Sequence, residues 1–144
     1  MSTTVSPSTI RTRICIISDT HNRVPAPSET SNLSYREPFP EADILIHCGD
    51  ITSVGHETEY QKILNFLKTA KAELKLVIAG NHDITLHEEL YMERLKNKHR
   101  NKPEDCERIR EMWCGEQVRA CGIVYLEEGT RTFELGSGAR FTVG

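Results

Sequence analysis

Apolar residues fall in short continuous runs early in the chain, at helical spacing in its middle and in alternation at its end. Arg13-Ile14-Cys15-Ile16-Ile17, Asp43-Ile44-Leu45-Ile46-His47-Cys48 and Leu74-Lys75-Leu76-Val77-Ile78-Ala79 each read as a β-strand, because β-branched and aliphatic residues fill them. Continuous rather than alternating runs predict strands covered on both faces, as in a parallel sheet. Between the second and third runs, Tyr60, Ile63, Leu64 and Leu67 recur at helical spacing and Phe66 widens the stripe. Glu59, Gln61, Lys62, Asn65 and Lys68 lie opposite, so the spacing predicts an amphipathic helix from Glu57 to Ala72. A strand, helix and strand in this order close right-handed onto a parallel sheet.

Two more helices are expected after Asp83. One runs from Leu86 to Lys98 with Leu90 and Leu95 inward. The other is opened by Pro103 as its first residue, buries Cys106, Ile109 and Trp113, and ends at Gly115. Ile123-Val124-Tyr125-Leu126 then reads as a strand. Arg131 to Leu135 and Ala139 to Val143 flank Gly136-Ser137-Gly138 as a hairpin. Arg23 to Glu41, with Pro25, Pro27, Pro38 and Pro40, is longer than most connections and reads as an insertion that partly rims the strand ends. Residues 1–12 are expected to be a disordered tail, Ser/Thr-rich through Thr9. Residues 13–144 then form one domain.

Each predicted strand of the first half ends in polar chemistry: Ser18-Asp19-Thr20-His21-Asn22, Gly49-Asp50 and Gly80-Asn81-His82-Asp83. Turn and cap preferences account for Ser, Asp, Thr, Asn and Gly, but not for His21 two residues after Asp19, nor for His82 beside Asp83. In an extended segment residues i and i+2 point the same way, so Asp19 and His21 would offer an oxygen and a nitrogen to one ion. Ligands of parallel sheets bind beyond the carboxyl ends of the strands, which brings all three groups to one edge. Carboxylates, imidazole and an amide oxygen together suit Mn, Fe or Zn. A carboxylate such as Asp50 can bridge two cations, and a two-metal pair activates a water and clamps a phosphoryl group. His47, one residue inside its strand end, is expected to be a core or supporting histidine, while His87 and His99 are expected on solvent-facing helix surfaces.

Composition narrows the field. The formal charge of −3 and the lack of a Lys/Arg cluster argue against stable nucleic-acid binding. No apolar run is long enough for a transmembrane helix, and no membrane partner is expected. The five cysteines, Cys15, Cys48, Cys106, Cys114 and Cys121, include no C-x-x-C pair. They read as structural thiols in a reducing, cytoplasmic compartment. A Gly-x-Ser-x-Gly elbow and a P-loop are both missing from the sequence.

Asp19-x-His21, Gly49-Asp50 and Gly80-Asn81-His82-Asp83, in this order and spacing, resemble the first three motifs of the calcineurin-like metallophosphoesterases. The flanking Cys15-Ile16-Ile17-Ser18-Asp19, Ile46-His47-Cys48-Gly49-Asp50 and Val77-Ile78-Ala79-Gly80-Asn81 look like the branch of metallophosphoesterase-domain proteins and their fungal relatives. The resemblance implies an α/β/β/α sandwich and hydrolysis of a phosphoester substrate by a two-metal-activated water. It implies that Asp19 and His21 bind a first divalent metal, Asp50 bridges to a second, and Asn81 binds the second. It further implies that His82 protonates the leaving oxygen and that Asp83 supports His82. Family members are longer and supply further histidines from Gly-His, Thr-His-Gly and Gly-His-x-His motifs, which nothing after Asp83 matches. The expectation is therefore a truncated N-terminal half, with the first sheet and the start of the second, self-associating through an uncovered sheet face. The competing reading is a non-catalytic truncated relic that keeps half a metal site.

Overall fold

The computed structural model describes residues 9–26, 35, 37–96 and 103–144. The predicted tail through residue 8, most of the tip of the 23–41 insertion, and His99 lie outside the described residues. Four strands, β1 (Ile14–Ile17), β2 (Ile44–His47), β3 (Leu74–Val77) and β4 (Ile123–Tyr125), form a parallel sheet in the order β1-β2-β3-β4. Ile14 pairs with Ile44, Ile44 with Leu74, and Lys75 with Ile123, so the strands run level and finish at one edge. Helix α1 (Glu57–Thr69) carries the chain from β2 to β3. A 3-10 turn (Ile84–Leu86) and helices α2 (Glu88–Lys96), α3 (Cys106–Cys114) and α4 (Glu116–Ala120) carry it on to β4. An antiparallel hairpin of β5 (Arg131–Glu134) and β6 (Arg140–Val143) follows.

Strand alternation splits the core into two layers. Leu45 and Val77 face the helices and pack with Tyr60, Ile63, Leu64, Leu67, Ile109 and Trp113. Ile44, Leu74 and Leu76 face the hairpin and pack with Leu135, Phe133 and Phe141. Each aliphatic side chain buried this fully contributes about 1.5–3 kcal/mol. The helix layer, the parallel sheet and the hairpin layer are three layers of the expected sandwich. Among the described residues, no helix is long and apolar enough to cross a membrane.

Several expectations need correction. Strand β1 is not covered on both faces: Ile14 is 54% and Ile16 65% exposed. Their register partners Ile44 and Ile46 meet the hairpin cluster, but that cluster does not take in Ile14 or Ile16, so among the described residues the hairpin face of β1 stays open. Pro103 does not open α3. Asp105 is the N-cap, its side chain accepting from the Arg108 amide at 3.0 Å, because a carboxylate can satisfy a free helix-end N–H and proline cannot. Gly115 joins α3 directly to α4, a short helix the sequence periodicity did not reveal. The predicted helix from Leu86 begins instead at Glu88, after the 3-10 turn, and is described as far as Lys96.

Candidate metal centre

The loops after β1, β2 and β3 lie side by side at the carboxyl edge of the sheet. Backbone hydrogen bonds run from Asp19 N to Gly49 O at 3.0 Å, His21 N to Asp50 O at 3.0 Å, and Asn22 N to Ile51 O at 2.7 Å. The first loop is thereby threaded along the second. The third loop meets the second even more closely. A Cβ on Gly80 would sit 2.2 Å from both the backbone N and the side-chain Oδ1 of Asp50. A Cβ on Gly49 would sit 2.8 Å from Gly80 N, and Gly49 has φ +95°. Both glycines are there because two backbones touch.

Four non-glycine residues of this edge adopt positive φ: Asp19 at 56°, His21 at 44°, Asn22 at 63° and Asp50 at 51°. Such left-handed residues are uncommon outside glycine and cluster where a structure holds a site in place. They also correct the i, i+2 argument for Asp19 and His21, since the backbone there is not extended.

His21, Asp50 and His82, one from each loop, come together, with their ligand atoms all within 4.8 Å of one another. The His21 and His82 rings meet edge-on, centroids 4.6 Å apart. Each ring is oriented by a backbone carbonyl of the second loop. His21 Nδ1 lies 3.2 Å from Thr52 O, and His82 Nδ1 lies 2.7 Å from Ser53 O. A carbonyl only accepts, so each Nδ1 donates and each Nε2 is left with its lone pair. Asp50 Oδ1 accepts from the His82 amide at 3.0 Å. One ring nitrogen from each histidine and a carboxylate oxygen at this spacing fit a borderline divalent cation such as Mn, Fe or Zn.

Asp19 lies outside this trio, and its Oδ2 takes the Ser18 hydroxyl at 2.5 Å. Asn81 stands at the exposed shoulder of the third loop, beside His82. Asp83 is 1% exposed and does not hold the His82 ring. Its Oδ2 accepts from Ile51 N at 3.0 Å and Gly80 N at 2.8 Å. Its Oδ1 accepts from Thr52 N and Thr52 Oγ1, both at 2.8 Å. Asp83 thus buckles the third loop to the second, while Ser53 O is what turns His82.

His47 is 1% exposed, with Nε2 2.9 Å from the Thr20 hydroxyl. Burial pushes its pKa down to about 4, against the opposing pull of Asp83, Asp19 and Asp50. It is a neutral supporting histidine beneath the site. Behind the second loop, Glu59 accepts from Ser53 N at 3.0 Å, Val54 N at 3.2 Å and His56 N at 3.0 Å. Burial pushes that carboxyl up, but the amides of His56, Ser53 and Val54 outweigh it and hold the pKa below its ordinary value. His87 is exposed, as expected, but caps the 3-10 turn instead of lying on a helix.

The family comparison falls on these loops. The profile of the calcineurin-like phosphoesterases matches residues 12–134. The chain belongs to the calcineurin-like phosphoesterase family. A probable rhamnogalacturonate lyase C of Emericella nidulans is 32% identical over 131 residues, 91% of this chain and 10% of that protein. Metallophosphoesterase domain-containing protein 1 of Homo sapiens is 36% identical over 85 residues, 59% of this chain and 23% of that protein. The Mus musculus protein of the same name gives the same identity and coverage. The chain therefore spans between a tenth and a quarter of the length of these curated relatives. Sequence reasoning named His21, Asp50 and His82 from their motifs, but it missed the roles of Thr52 and Ser53. Those act through backbone carbonyls, which leave no signature in residue type.

Proposed function

We propose that this chain hydrolyses phosphoesters with the help of divalent metal bound at the three loop ends. The observation that carries the proposal is the convergence of His21, Asp50 and His82 within 4.8 Å in a calcineurin-like phosphoesterase. His21 and Asp19 would hold a first cation, Asp50 would bridge, and Asn81 would serve a second. Bound divalent ions supply Lewis acidity to a phosphoryl group and lower the pKa of water. His82 in its imidazolium form, with Nδ1 still donating to Ser53 O, would carry a second proton on Nε2 and hand it to the leaving oxygen as the bond from that oxygen to phosphorus breaks, returning to the neutral ring. Asp83 keeps the loop carrying His82 in register with the loop carrying Asp50.

The cysteines described as free thiols accord with a reducing compartment. The same reading includes self-association of the chain across the open face of Ile14 and Ile16, measurable by sedimentation. Titration with Mn(II), followed by calorimetry, and turnover of bis(4-nitrophenyl) phosphate test the main proposal. Saturable Mn binding with Mn-dependent turnover is expected. Mn binding without turnover would favour the second reading, a non-catalytic relic with half a site, and absence of binding would overturn both.

A further inference from the structure

Beside His82 the protein opens a cavity of about 270 Å³. Asn81 and His82 form its polar end, Ile84, Tyr91 and Leu95 line it, and Arg94 completes it. The volume lies just below the ordinary range for small-molecule sites, so it suits one ring-sized group rather than a long chain. Tyr91 is fixed as a wall: it is 3% exposed, and its hydroxyl accepts from the Glu104 amide at 2.7 Å.

Arg94 is the cation of this cavity. No hydrogen bond or ion pair engages its guanidinium among the described residues. The helix positions three and four residues before it are Tyr91 and Leu90, so no acidic side chain one turn back on α2 neutralises it. A guanidinium lining a cavity with both polar and apolar walls, and with no partner among the described residues, is suited to a carboxylate or phosphate, which it can grip with two N–H groups at once.

We infer that Arg94 is a specificity-determining residue, selecting phosphoesters whose leaving group is a single ring bearing an anionic substituent. The ring lies against Ile84, Tyr91 and Leu95, and the anion meets Arg94. The assignment of this cavity to the leaving group rests on the proposed function, because it starts at His82, the residue proposed to protonate the leaving oxygen.

The test compares phenylphosphonate with 4-carboxyphenylphosphonate by calorimetry, on the full chain with and without Mn(II). The same chain is assayed with phenyl phosphate and 4-carboxyphenyl phosphate. The wild-type chain should bind the carboxylated phosphonate roughly fivefold more tightly, the scale of one solvent-facing charge-assisted contact. The corresponding preference in turnover should appear in KM. Arg94→Gln should reduce both ratios to about one, whereas Arg140→Gln, on β6, should leave them intact. Equal binding of the two phosphonates by the wild type, or a preference that survives Arg94→Gln, would overturn the inference. An Arg94-dependent preference in binding without any turnover would keep Arg94 as the anion-binding residue of this cavity but overturn both its assignment to the leaving group and the hydrolytic reading.

Discussion

Thr52 and Asp83 are joined twice: the Thr52 amide and the Thr52 hydroxyl both donate to Asp83 Oδ1 at 2.8 Å. With Ile51 N and Gly80 N on the other oxygen, one buried carboxylate satisfies four donors from two loops. Asp83→Asn replaces one accepting oxygen with a donor facing other donors. It should destabilise the chain by about 2–4 kcal/mol in urea unfolding, the cost of leaving buried donors unmade. Thr52→Val, which keeps the amide contact, should cost only about 1 kcal/mol. Equal effects would mean that the hydroxyl contact carries the junction.

The contact of Gly80 with Asp50 predicts a steric effect on metal. Gly80→Ala should push the Asp50 loop away and abolish Mn binding by calorimetry, since its Cβ would lie 2.2 Å from Asp50 N. Gly115→Ala is the control, with φ −64° and its nearest atom, Glu111 O, at 3.7 Å. It should bind Mn as the wild type does.

The division of roles between Asp50 and His82 is open to direct measurement. Asp50→Asn should remove bound Mn more completely than His82→Ala. His82→Ala should slow an alkyl phosphodiester far more than a nitrophenyl one, because nitrophenolate leaves without much protonation. Equal metal loss in the two variants would make His82 a ligand, a role its place in the 4.8 Å trio also permits.

His47 predicts a pH dependence. Its folded pKa of about 4 lies below the ordinary 6.5, so the unfolded chain binds the extra proton first as pH falls. The stability it contributes is full above about pH 6.5 and is lost between there and about pH 4, on the order of 3 kcal/mol in total. In EDTA, the stability difference between wild type and His47→Gln should shrink across that window. A difference constant with pH would mean that His47 is solvated.

The open face of β1 predicts an asymmetry along one row of the sheet. Ile16→Thr, at a side chain 65% exposed in the single chain, should change the stability of the monomer, measured at a concentration below that of any self-association, by less than about 0.5 kcal/mol. Leu76→Ala, under the hairpin and 2% exposed, should cost about 2–5 kcal/mol. Comparable losses in urea would show that β1 is covered in solution.

The sequence by itself determined the parallel strands, because Ile44-Leu45-Ile46 and Leu74-Lys75-Leu76-Val77 need burial wherever they lie, and strand period two assigns their faces. It also marked the strand ends as candidate chemistry, since His21 and His82 are residue types that turns do not require. Tertiary structure decided what spacing cannot encode. The hairpin cluster takes in residues of β2, β3 and β4 but not Ile14 or Ile16, so a strand that reads as buried has an open face. The left-handed backbone of Asp19 and His21 replaces the extended geometry that local sequence suggested, because bonds to Gly49 O and Asp50 O set it from a different loop. Asp83 turns from His82 to Thr52 for the same reason: a buried carboxylate goes where the unpaired N–H groups are, and besides the local Gly80 N those were supplied by Ile51 and Thr52, some thirty positions away.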